Sequence, residues 1–92
     1  MKVEKLMSLS RQEFQNSMGL FLDGVPPTTD DVRVAVDGGE VSVVYTAQPG
    51  VVLGGLMALP RAVVSLTFEG VSETERDAFL RKFDIAFQRG GG

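Results

Sequence analysis

The chain has 92 residues, 43% of them hydrophobic, with a formal net charge of −3 and neither Cys nor His. That length suits one domain with one buried core, and the two missing residue types exclude disulfides, thiolate metal sites and every Ser-His or Cys-His catalytic arrangement. The nine Lys and Arg are scattered along the chain, which leaves no dense basic patch for nucleic acid or an anionic membrane.

The opening "MKVEKLMSLS" has no apolar run of the kind a secretory signal needs, so a soluble, cytoplasmic protein is expected. Residues Val3 to Met7 fit a short edge strand. Next, "LSRQEFQNSMGLFLDG" predicts a helix over Arg11 to Leu22. Ser10 and Glu13 have the spacing of a capping box, and Leu9 and Phe14 that of a hydrophobic staple. At 100° per residue Phe14, Met18, Phe21 and Leu22 form the core stripe, with Leu20 on the far side. Asp23-Gly24 stops the helix, and "VPPTTDD" is a stiff extended linker.

"DVRVAVDGGEVSVVYTA" predicts a β-hairpin. Val32, Val34 and Val36 alternate with Arg33, Ala35 and Asp37; beyond the turn Val41, Val43 and Tyr45 alternate with Ser42, Val44 and Thr46. Asp37-Gly38-Gly39 supplies the turn. "AVVSLTFEG" is the third strand, with Val64, Leu66 and Phe68 inward and Val63, Ser65, Thr67 and Glu69 outward. Ser72 and Glu75 then make a second capping box, opening a helix whose core stripe is Phe79, Leu80, Phe83, Ala86 and Phe87, with Ile85 outside it. Gly90 ends this helix, and Gly90 to Gly92 form a frayed tail.

The predicted order is α-β-β-β-α: an antiparallel sheet of three to four strands with both helices on one face, a two-layer α+β sandwich. Residues 1–92 form one domain, with its core over about residues 9 to 88. The order is similar to that of double-stranded RNA-binding domains, but those place basic residues at the start of the last helix, where this chain has "SETERD". No nucleic-acid partner is expected.

Few residues offer chemistry. Asp30 and Asp31 lack the spacing of a calcium loop. Glu73, Glu75 and Asp77 are accounted for by the positive end of the helix dipole. Gly54-Gly55 is not followed by the Lys-Ser or Lys-Thr of a phosphate loop. The best catalytic constellation would be Tyr45, Arg33 and Arg61, if they converged. No cofactor, metal ion or catalytic role is expected.

One segment is out of character. "QPGVVLGGLMALPRA" carries no charge before Arg61, and the uncharged run that it closes, Val41 to Pro60, is interrupted by Gly and Pro and does not read as a membrane span. Three readings compete. Pro49-Gly50 makes a type II turn and Leu56, Met57 and Leu59 plug the interior; or the segment joins the outer sheet face in an exposed apolar patch; or it forms a lid over a small apolar ligand. The expected function is a non-enzymatic protein-interaction module that self-associates, as a homodimer, through Val51, Val52, Leu53, Leu56, Met57, Leu59, Val44 and Val63. An apolar-ligand carrier is the alternative.

Overall fold

Ser10 caps the first helix through a complete capping box. Its hydroxyl accepts from the Glu13 N–H at 3.2 Å, and the Glu13 carboxylate accepts from the Ser10 N–H at 3.0 Å. Leu9 and Phe14, the staple pair, are both fully buried. In the computed structural model, which describes residues 1–53 and 57–89 (backbone only at 51, 53, 57, 58 and 89), the chain runs β1 (Lys2–Met7), α1 (Arg11–Leu22), β2 (Asp31–Val36), β3 (Gly39–Leu53), β4 (Met57–Glu69), α2 (Glu73–Arg89). The four strands form one antiparallel sheet in the order β1-β4-β3-β2. This is the expected α+β architecture, and the short edge strand expected over Val3 to Met7 is the fourth strand, β1.

Both helices pack on one face of the sheet, and aromatic rings join the layers. Tyr45, Phe14, Phe87, Phe83, Phe21, Phe79 and Phe68 follow one another ring to ring, with centroid separations from 4.0 to 6.4 Å. The chain of rings therefore passes from β3 through both helices to β4. Rings at such distances add to their area burial through edge-to-face and stacked contacts.

The stripe of α1 differs by one residue from expectation. The side chains of Phe14, Ser17, Met18 and Phe21 are buried, with Gly19 beside them, while Leu22 is exposed. The buried set has the i, i+3, i+4, i+7 spacing of one helix face, and Ser17 occupies the position a pattern of apolar letters assigns elsewhere. The helix ends at Asp23, which itself takes the left-handed conformation at φ 56°. In α2, Leu80 is only half-buried at the edge of the stripe. The Ser72 hydroxyl accepts from the Glu75 N–H at 3.2 Å, but among the described residues no reciprocal bond completes a second box.

The Ser17 hydroxyl is buried and has no hydrogen-bond partner among the described residues. An unpaired buried hydroxyl costs about 1 kcal/mol or more, and Ala is the better helix former. Ser17→Ala is therefore expected to stabilise the protein by about 1 kcal/mol, read as a raised midpoint in urea. A lowered midpoint would show that the hydroxyl has a partner.

Pro49-Gly50 does not turn the chain. Gln48 pairs with Arg61 and Val51 with Leu59, so that Pro49 and Gly50 on β3 oppose Pro60 alone on β4. Two residues against one is a β-bulge, which bends a ribbon and tolerates the missing N–H of proline. The strands then continue in register to Leu53↔Met57. The expectations for Gly54-Gly55, Leu56 and the Gly90–Gly92 tail lie outside the described residues.

Candidate functional site

The site is the ribbon formed by the far halves of β3 and β4. β1 accompanies β4 only as far as Met7↔Ala62, and β2 accompanies β3 only as far as Asp31↔Val44. Beyond these pairs two strands run alone, and the molecule reaches 48 Å in its longest dimension against 26 and 20 Å in the others. A two-stranded ribbon by itself is marginally stable in water. Here the body of the sheet holds its base.

On the ribbon Val52 is 66% exposed and Leu59 37% exposed, so Leu59 does not plug the interior. Val51 faces Leu59 in the register and Leu53 faces Met57. Val44 and Val63 lie on the outer sheet face, half-buried, where Val63 stands between Leu6 of β1 and Thr46 of β3. Leu6 is 61% exposed. It was missed in the sequence because alternation in "KVEKLM" marks a strand without showing which neighbour extends its face. Leu6, Val63, Thr46 and Val44 form a neutral strip leading to the ribbon. The charged pairs of the outer face, Lys2 with Glu4 and Arg33 with Glu40, flank this strip.

Tyr45, Arg33 and Arg61 do not converge. The Tyr45 hydroxyl donates to the Leu9 carbonyl at 3.1 Å in the interior, and Arg33 pairs with Glu40 at the other side of the sheet. Arg33 is opposite Ser42 and Arg61 opposite Gln48, which separates them by about 20 Å along β3. Asp30 is engaged by Arg11, whose Nε donates to both carboxylate oxygens at 2.9 and 3.1 Å. Among the described residues no three acidic side chains gather.

Three of the surface grooves among the described residues bear on the site. One, at the foot of the ribbon, has a volume near 300 Å³ and is bordered by Ser10, Arg11, Tyr45, Gln48, Pro60 and Arg61. Two guanidinium groups on its walls suit an apolar ligand poorly. A second lies between the helices and brings Leu20 and Ile85 together beside Lys82. The third, near 340 Å³, separates β2 from α2, with Phe21 and Phe79 among its lining and Glu75 and Lys82 on the helix side. Among the described residues no helix is long and apolar enough to cross a membrane.

Comparison with protein-family models, with curated proteins and with solved structures found no match.

Proposed function

We propose that this chain is a non-enzymatic protein-interaction module that self-associates. The observation that carries the proposal is the ribbon, which leaves the body of the sheet beyond the ends of β1 and β2 and exposes Val52 and Leu59 in an uncharged stretch. Burying a Val or Leu side chain is worth about 1.5 to 3 kcal/mol, so a protein surface laid over the ribbon gains directly from it. The neutral strip through Leu6, Val63 and Val44 extends the same surface onto the sheet. The proposal takes the assembly to be a homodimer and its setting to be the cytoplasm.

Size-exclusion chromatography with light scattering, run over a wide concentration range, tests the self-association. The expected result is the mass of two chains, falling to one on dilution. A mass of one chain at every concentration would remove self-association from the proposal.

A further inference from the structure

We infer that two copies of this chain join edge to edge through β2, making one continuous eight-stranded antiparallel sheet. The inference rests on the self-association proposed above and places the seam between two copies at the free sheet edge, which leaves the ribbon of each copy open to a further protein surface.

A sheet edge presents unpaired N–H and C=O groups, and proteins guard such edges with Lys, Pro or bulges. The other free edges here are guarded. β1 carries Lys2, Glu4 and Lys5, the last bound to Asp84 of α2 at 3.1 Å. The ribbon has Pro49 on one strand and Pro60 on the other, at the bulge. β2 is different: between Arg33 and Asp37 it offers Val34-Ala35-Val36, with no charge and no proline. The groove between β2 and α2 leaves this edge uncovered by the helix layer.

The phase of the hydrogen bonds fixes which groups are free. Tyr45 N–H donates to the Asp30 carbonyl at 2.7 Å, and antiparallel pairs alternate between bonded and non-bonded. In the observed register Val32, Val34 and Val36 therefore bond to β3, while the peptide groups of Asp31, Arg33 and Ala35 point outward, the Asp31 carbonyl already accepting from the Thr29 hydroxyl at 2.9 Å. A two-fold axis through Ala35 sets Ala35 against itself, which joins outward-pointing groups to outward-pointing groups. It also sets Arg33 opposite Asp37 of the second copy, twice, and Val34 opposite the second copy's Val36, twice. The charges are complementary and the valines meet on the helix side, where both are half-buried. Shifting the axis to Val34 would oppose Asp31 to Asp37, so the sequence selects the first register. The helices of both copies stay on one face, and the two ribbons point in opposite directions.

Charge reversal tests this pairing. Arg33→Asp alone opposes two acids across the seam, and Asp37→Arg alone opposes two bases; each is expected to weaken the dimer by roughly ten- to a hundredfold. Mixing the two variants restores both pairs and is expected to give a one-to-one heterodimer by light scattering. A local structural defect would not be cured by mixing. Wild-type chains of single mass at every concentration would overturn the self-association and the seam together. A dimer that persists in both single variants, or a mixture that stays monomeric, would overturn the β2 seam while self-association stands.

Discussion

Phe83→Ala is expected to cost about 4 kcal/mol, the upper part of what a single core truncation removes. Phe83 is fully buried, stacks on Phe87 at 4.0 Å between ring centroids, and lies 6.4 Å from Phe21. It is the middle ring of the series that ties β3 to β4 through both helices. Deleting it leaves a cavity among the rings, and the cavity adds to the lost transfer energy. For a domain of this size the total stability is on the order of 5 to 10 kcal/mol, so the loss should lower the melting temperature by about 20 °C. Ile85→Ala in the same helix is the control. Ile85 is 51% exposed, and its truncation is expected to change stability by no more than about 0.5 kcal/mol. Equal effects at the two positions in urea titrations would show that α2 presents another face to the sheet.

The contrast between Phe83 and Ile85 was legible in the sequence because helical periodicity is a local rule and α2 obeys it. So was the first capping box, which depends on residues three apart. Ser17 was not legible: it is buried by position, not by chemistry, and a pattern of apolar letters passes over it. The ribbon was hidden for another reason. Pro49-Gly50 has the chemistry of a turn, and only pairing with Pro60, far along the chain, makes it a bulge. Strand register is a non-local property, and the free β2 edge follows from it in turn. Lack of charge singles out Val44, Val63, Val52 and Leu59 as candidate contact residues, but their division between sheet face and ribbon follows only from the ladder.

Gly39→Ala is expected to destabilise the protein by about 3 kcal/mol, although the sequence gives Gly39 no more weight than the turn residue beside it. Gly38 has the positive φ, 84°, that the hairpin turn requires. Gly39 lacks that constraint and meets a different one. A Cβ there would overlap the Glu69 carbonyl oxygen and come within 2.6 Å of the Gly70 carbonyl carbon. Both obstacles are backbone, so no side-chain rotation relieves them, and the end of the β2–β3 hairpin would have to move off the end of β4. Gly38→Ala instead carries the penalty of a left-handed L-residue, about 1 to 2 kcal/mol, in a position where a Cβ finds only ordinary contact at 3.6 Å. The expected order in urea titrations is therefore Gly39→Ala well below Gly38→Ala. The reverse order would mean that the hairpin end does not lie against β4. The same displacement carries Asp37 and the end of β2 with it, so Gly39→Ala should also weaken the edge-to-edge dimer under conditions where the monomer is still folded. Light scattering on the folded variant then links a backbone contact inside one copy to the charge register between two.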